Sequence, residues 1–594
     1  MRIVQEEVLK PIYCNMKKIW IIPAIMLLAT QAHAQVTFAE GSTDMFVDQT
    51  VRSSHPVGVT DMNNDGLDDV IRMDSGVDVF VNYQQPDGSF IEVHMGDLGM
   101  GGDDAWGMAI ADFDGNGYCD IMAGGWYDQI KIGLLSDDGT SMTVTYADAD
   151  AIFVQGVSLF DMNYDGHTDI FACHDDGPSQ IIFNDGNGGF VYDAAEVNAV
   201  INTSLYGGGE DDAGNYGSCF TDVDNDGYFD LYIAKCRQGV TDSQDVRRIN
   251  QLWLYDPETQ SFYEAGAAAG IDTGAQSWSA DFGDIDNDGD LDMYVGNHDT
   301  NNMLFENNGD GTFTDISVSS GVGVVVPFAT IQTAMRDFDN DGYLDILATG
   351  GGSHYLALNN GDNTFTAYQD LFSFDINSFG LGDLNDDGYI DILAVQGGYG
   401  GPWGGFSSDA IVMNNGGDNN WLKVNLDGTE SNPDGIGARV TIEGPFGMMV
   451  RDVKSGESYG IVNSMISHFG LGTFDSITTL TVQWPSGVVD VLTDVDVNQT
   501  VTVEEGTFVG IAEPADAVEI SVFPNPATDY VQVQCGNTLK NAEFTIMDMN
   551  GRNVELRRFT GSSLKVNTTQ LSSGMYTWKV VAQGKCVAEG KLVK

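Results

Sequence analysis

Seven short apolar runs, each opening on an aspartate, are spread over residues 69–395: DVI (69–71), DIM (120–122), DIF (169–171), DLYI (230–233), DMYV (292–295), DILA (345–348) and DILAV (391–395). They are continuous rather than alternating, the pattern of a strand covered on both faces. After several of them a second apolar stretch ends in N-x-G-x-[GN]-x-F, at residues 184–190, 307–313 and 359–365. Strand, glycine turn, strand is a hairpin signal. No long amphipathic helix is predicted here, and the abundance of glycine (73) over proline (14) fits many tight turns.

In front of each run stands one nine-residue pattern, D-x-[DN]-x-[DN]-G-x-x-D, beginning at Asp61, Asp112, Asp161, Asp222, Asp284, Asp337 and Asp383. Successive copies start 51, 49, 61, 62, 53 and 46 residues apart, a regularity beyond chance. About 50 residues hold four short strands with their turns, one blade of a propeller. A single blade cannot bury both faces of its sheet, whereas blades packed about an axis can. The predicted fold is therefore all-β, a seven-bladed β-propeller over residues 35–418, with an open β-solenoid as the alternative closure. The longer third and fourth intervals predict insertions at 206–218 and 237–249.

Charge sharpens this picture. Acidic residues outnumber basic ones 88 to 25, a formal charge of −63. Such a chain repels nucleic acid and anionic membrane surfaces. Much of the acidity sits in the repeated pattern, where positions 1, 3, 5 and 9 offer side-chain oxygens and position 7 a backbone carbonyl. The candidate metal ligands are Asp61, Asn63, Asp65, Leu67 and Asp69 in the first loop, and Asp112, Asp114, Asn116, Tyr118 and Asp120 in the second. The third loop offers Asp161, Asn163, Asp165, His167 and Asp169, and the fourth Asp222, Asp224, Asp226, Tyr228 and Asp230. The fifth offers Asp284, Asp286, Asp288, Asp290 and Asp292, the sixth Asp337, Asp339, Asp341, Tyr343 and Asp345, and the seventh Asp383, Asn385, Asp387, Tyr389 and Asp391.

Hard oxygen donors suit Ca²⁺ rather than zinc or copper, and glycine at position 6 permits the bend that wraps them about one point. An EF-hand needs a bidentate glutamate at position 12; here that position is Arg72, Ala123, Ala172, Ile233, Val295, Ala348 or Ala394. The alternative is an Asp/Asn/Gly turn capped by its own side chains. Against it, the side-chain positions of the seven loops carry 24 carboxylates, which repel one another without a cation. Up to seven calcium ions are predicted. The loops resemble the FG-GAP/VCBS repeats of integrin-α-type propellers, a resemblance that implies calcium in the loops and partners on the blade faces.

The repeat stops after Gly416. Residues 419–505 read as a small β module with glycine turns, including 431–440 (SNPDGIGARV), 468–472 (HFGLG) and 482–487 (VQWPSG). Gly435-Ile436-Gly437 lacks the third glycine and the βαβ setting of a dinucleotide loop. Arg439 and His468 read as satisfied structural groups. This stretch resembles the ASPIC/UnbV domain of the cartilage acidic protein family, which implies extracellular binding and no catalytic residues. Residues 506–517 read as a linker. Residues 518–594 alternate like a β-sandwich of immunoglobulin type and resemble the C-terminal sorting domain of type IX secretion cargo in Bacteroidetes. That resemblance implies the type IX machinery as a partner, and surface attachment or release.

Residues 1–34 read as a signal peptide: Lys17-Lys18, an apolar run over 19–29 and the small-x-small site Ala32-His33-Ala34, with Met16 as a possible start. No later stretch is apolar enough to span a membrane. Beyond Cys14 there are six cysteines; Cys219–Cys236 and Cys535–Cys586 are candidate local pairs, with buried free thiols the alternative.

The expected role is a secreted or surface-bound, calcium-binding adhesion protein without enzyme activity, acting on a glycan or protein ligand. A polysaccharide-degrading enzyme and a structural surface-layer protein are the alternatives. No HExxH occurs. The one G-x-S-x-G match, 456–460, lacks a following helix and reads as a turn. His94, His174, His298 and His354 read as hydrogen-bonded rather than catalytic. Trp126-Tyr127 and Trp403 could stack on sugars, but aromatic residues more often pack in cores.

Overall fold

Each aspartate-led run pairs with an apolar strand that precedes its loop. A computed structural model of the chain describes residues 36–594 apart from 40–41, 43–44, 101–104, 187, 202–212, 325–328, 351–352, 370, 397–406, 509–519, 525, 548–552, 573 and 583–584. The predicted signal peptide, Trp403, most of the 506–517 linker and residues 206–212 lie outside the described residues. Seven inner strands, Val57–Thr60, Ala105–Ala111, Val154–Phe160, Asn215–Thr221, Ser277–Gly283, Gln332–Arg336 and Ile376–Gly382, adjoin one another about an axis. The register is the same in every blade: the last inner residue faces the position 9 aspartate, as in Thr60↔Asp69, Ala111↔Asp120 and Gly382↔Asp391.

Six sheets draw four strands from their own blade. The seventh has three, Ile376–Gly382, Asp391–Gln396 and Ala410–Val412, and its outer edge is taken by the start of the described chain. Phe38 bridges Asn414 and Ser42 bridges Ile411; the Ala39 N–H donates to Met413 O at 2.8 Å. This pairing gives the seventh blade its outer strand from the other end of the chain, so the ring closes as a seven-bladed propeller rather than an open solenoid. The apolar core lies between blades: Ala109 and Ile132 of the second pack with Val157 and Ile170 of the third.

The predicted insertion at 206–218 ran too far. Residues 215–218 begin the inner strand Asn215–Thr221, and part of the extra length is the helix Ala194–Val200, capped by the Asp193 carboxylate. Cys219 and Cys236 do not pair. The ladder sets Cys219 opposite Tyr232, so Cys236 lies four residues further along, roughly 13 Å at strand rise and beyond disulfide reach. Cys535 is likewise free: it faces Ile520, whereas Cys586 faces Val581, whose partner is Glu543.

Beyond the propeller, two small sheets enclose Leu422, Val424, Val440, Ile442, Phe469 and Leu480. One is built on Asn420–Asp427, the other on Arg439–Gly444 and Ile477–Gln483. The last module is threaded by one long strand, Tyr530–Met547, paired early with Ile520–Phe523 and late with Met575–Ala582.

Residues 454–465 leave the small module and run through the centre of the ring. The Ser455 hydroxyl accepts from Ile110 N at 3.1 Å, and Ser455 bridges Leu159. Ile461 and Val462 pair in parallel with Val57 and Gly58, extending the first blade's sheet. The Ser458 hydroxyl accepts from Thr333 N at 3.0 Å and donates to Gln332 Oε1, and Asn463 Oδ1 accepts from Leu381 N. The Tyr459 hydroxyl donates to Gln155 at 2.5 Å, and Lys454 pairs with Asp281 at 2.6 Å. The G-x-S-x-G match is thus a turn inside an axial plug that touches the inner strands of all seven blades. At Gly217 the approach is backbone to backbone: an added Cβ would collide with Ser458 O and lie 2.6 Å from Trp278 O. Gly217→Ala should therefore lower stability by about 1–3 kcal/mol, the usual cost of overpacking. A urea titration monitored by circular dichroism would read it, and a wild-type midpoint would remove the plug from the inner wall.

Candidate metal centres in the acidic loops

Each loop is folded by its own backbone and acidic groups. The position 1 carboxylate accepts the N–H groups of positions 5 and 6, as Asp61 does from Asp65 (3.1 Å) and Gly66 (2.6 Å). Position 5 accepts from the N–H of position 7, as Asp288 does from Asp290 at 3.0 Å. Position 4 lies in the left-handed region in all seven: Asn64, Gly115, Tyr164, Asn225, Asn287, Asn340 and Asp386, with φ between 55° and 72°. Asparagine, aspartate and glycine tolerate that conformation, so the composition of position 4 was a readable signal that the nine-residue pattern passed over. Three of these asparagines link neighbouring loops; Asn340 Nδ2, for example, donates to Gly388 O at 2.9 Å.

Position 9 ties the loop to the sheet. One oxygen accepts the N–H of position 2 and the other an N–H of the third strand. For Asp391 these are Leu384 at 2.9 Å and Asn414 at 2.7 Å; for Asp292 they are Ile285 at 3.0 Å and Asn307 at 2.8 Å. All seven loops repeat this clamp. Asp391→Ala would strand two buried donors and should cost at least about 2 kcal/mol. Measured in chelator by denaturant unfolding, that loss reports the clamp alone; an unchanged midpoint would refute it.

In four loops three carboxylates converge. Oxygens of Asp112, Asp114 and Asp120, of Asp222, Asp224 and Asp230, of Asp284, Asp286 and Asp292, and of Asp337, Asp339 and Asp345 lie within 4.8 Å of one another. In the first, third and seventh loops position 3 is Asn63, Asn163 or Asn385, which leaves one carboxylate fewer. Asp224 Oδ1 and Asp286 Oδ1 are buried and accept no hydrogen bond. An uncompensated buried carboxylate oxygen is costly, and a hard cation is the partner its position fits. Burial, then the neighbouring aspartates, pushes the Asp120 carboxyl up to about 8, and burial raises Asp61, Asp161 and Asp284 to about 6. The donor set therefore fits a hard cation such as calcium, which positions 1, 3 and 9 would hold in the four loops where they converge.

The small module docks on these loops. Lys423 pairs with Asp383 at 2.8 Å and Asp386 at 2.7 Å; Arg439 pairs with Asp222 at 3.2 Å and Asp452 at 2.7 Å. The buried Asp434 carboxylate accepts from Asp112 N at 2.8 Å, and His468 Nε2 lies 3.0 Å from Gly388 O. Burial lowers His468 to about 3, so its imidazole is neutral at physiological pH. Arg439 and His468 are thus structural groups of the docking surface, and Ser458 hydrogen-bonds to Gln332 and Thr333 within the plug.

Residues 61–123, 161–233, 222–295, 284–331 and 337–394 match the FG-GAP-like repeat, 428–508 the ASPIC and UnbV domain, and 521–594 the secretion system C-terminal sorting domain. The chain is 37% identical over 90 residues to cartilage acidic protein 1 of Xenopus tropicalis, covering 15% of this chain and 14% of that protein. It is 24% identical over 296 residues to cartilage acidic protein 1 of Homo sapiens, covering 45% of this chain and 42% of that protein. The chain thus spans less than half the length of these relatives. The extracellular domain of the putative one component system BT4673 from B. thetaiotaomicron aligns over 94% of this chain and 58% of its own, at 10% identity and a TM-score of 0.37. The sorting domain marks the protein for export, followed by surface attachment or secretion. Among the described residues no helix is long and apolar enough to cross a membrane. The chain is an exported β-propeller protein that carries FG-GAP-like repeats, an ASPIC and UnbV domain and a secretion system C-terminal sorting domain.

Proposed function

We propose that this protein is a calcium-loaded, non-catalytic binding scaffold that mediates adhesion outside the cell, delivered by the type IX machinery through residues 518–594. The observation that carries the calcium reading is the convergence of three carboxylates in each of four loops, with Asp224 Oδ1 and Asp286 Oδ1 turned inward without a partner. A turn that needed only a cap would not gather them. Calcium would hold these oxygens together, and the loops would then present a fixed surface to the small module. In this reading the ligand meets the face of the ring opposite that surface. A glycan and matrix-protein binding array, run in millimolar calcium and again in chelator, tests the reading. Retention of a ligand in calcium and its loss in chelator is the expected result. Binding indifferent to calcium, or turnover of a glycan by the pure protein, would overturn it.

A further inference from the structure

We propose that the face of the ring opposite the acidic loops carries a binding site for a neutral saccharide, built on Trp126 and Tyr127. This deepens the adhesion reading and rests on it. The strand Asp120–Gly125 begins at the acidic loop, so Trp126 and Tyr127 stand at its far end. Trp126 and Tyr127 are 46% and 50% exposed, so of the two readings the sequence left open, core packing does not hold for them. Trp126 stacks on Phe153 of the third blade at 5.7 Å between centroids, and Phe153 meets Trp106 edge-on at 5.4 Å. The exposed rings therefore rest on a rigid aromatic base that crosses from one blade to the next.

Tyr127 adopts φ +49°, a conformation bulky residues rarely take. Strain of this kind collects at ligand sites, where the surroundings hold a side chain in a set place. Here the Tyr127 hydroxyl donates to Asp176, and the Arg237 guanidinium from the fourth blade pairs with Asp176 at 2.6 Å and Asp175 at 3.1 Å. Two aromatic faces are thus bordered by fixed charged acceptors and a donor fork. A ligand matching this has an apolar face for stacking and hydroxyls along its edge, which is the chemistry of a pyranose sugar ring. Charge selects among saccharides. The chain carries −63 overall, and the one guanidinium in this cluster is already shared between two carboxylates. Sulfated and uronic acid polymers are disfavoured, and neutral ones are favoured.

The full secreted chain in millimolar calcium should bind at least one of cellohexaose, laminarihexaose, xylohexaose, mannohexaose and N-acetylchitohexaose by calorimetry, and bind polygalacturonate and chondroitin sulfate not at all. Trp126→Ala and Tyr127→Ala should each weaken that binding about tenfold, Trp126→Phe should restore most of it, and Tyr263→Ala on the outer strand of the fourth blade should leave it unchanged. Melting curves of all four variants should overlay the wild type. No binding to any neutral oligosaccharide, preference for the anionic polymers, or binding untouched by Trp126→Ala would each overturn the proposal. Should matrix-protein binding persist without any saccharide, only this site falls; an empty result on both ligand sets defeats the adhesion reading as well.

Discussion

Transfer from millimolar calcium into excess chelator should lower the melting temperature by roughly 10 °C or more. A site with Kd near 10⁻⁴ M contributes about 1.4 kcal/mol at millimolar calcium, so seven would add on the order of 10 kcal/mol. For a ring of this size, the entropy of unfolding turns that into about ten degrees. The fourth, fifth and sixth loops, with four carboxylates each, should dominate the loss. The sign of the pH dependence gives a second reading. In chelator, burial raises Asp61, Asp161 and Asp284 to about 6 and Asp120 to about 8, above the usual aspartate value of 3.8. The folded state then binds more protons than the unfolded one between pH 4 and 8, so the metal-free protein should gain stability as pH falls through that window. With calcium the slope should reverse, because protons then compete with the ion. Identical melting curves with and without calcium, at any pH, would remove metal from the loops.

Glu457→Ala should be the most damaging single change at the axis, costing about 3–5 kcal/mol. Glu457 is buried, paired with Arg336 at 2.6 Å and Lys454 at 3.2 Å, and both cations also reach Asp281, at 3.3 and 2.6 Å. Burial alone would raise its carboxyl, but the two cations hold it down to about 2, so it is ionised at neutral pH. Removing it leaves two cations facing one carboxylate. Removing a cation together with it should restore balance, so Glu457→Leu combined with Lys454→Met should recover most of the loss. Equal destabilisation by the single and the paired substitution, followed by thermal melting, would mean that charge balance is not what holds the plug.

The blades were legible because their cause is local. The aspartate pattern, the glycine bend and the apolar run lie within a dozen residues, and repetition distinguished them from a chance turn. The double duty of position 9 was not legible, since its second donor comes from the third strand, as Gln84 does for Asp69. The docking of the small module was hidden for the same reason at longer range: Asp434 reaches Asp112 across 322 residues, and Arg439 reaches Asp222 across 217. Its only trace is that bases are scarce in this chain, yet Arg439, Arg451 and Lys454 crowd into one short segment. Residues 456–460 fit a catalytic motif by spacing alone, and only the ring around them reveals their role. The exposure of Trp126 and Tyr127 was not legible because their strand stops at Gly125, one residue before the aromatic pair.

The closure of the seventh blade sets an order on biogenesis. A chain leaving the ribosome, or a translocon, from its N-terminus holds Phe38 and Ser42 idle until Asn414 and Ile411 emerge, and holds Val57 and Gly58 half-paired until Ile461 and Val462 arrive. Loop closure over such spans is slow, and the incomplete ring offers bare sheet edges meanwhile. Only some 130 residues separate the last plug contact from the end of the sorting domain. Completion of the ring and appearance of the export tag are therefore nearly simultaneous, so a chain that displays the tag has just become able to shut.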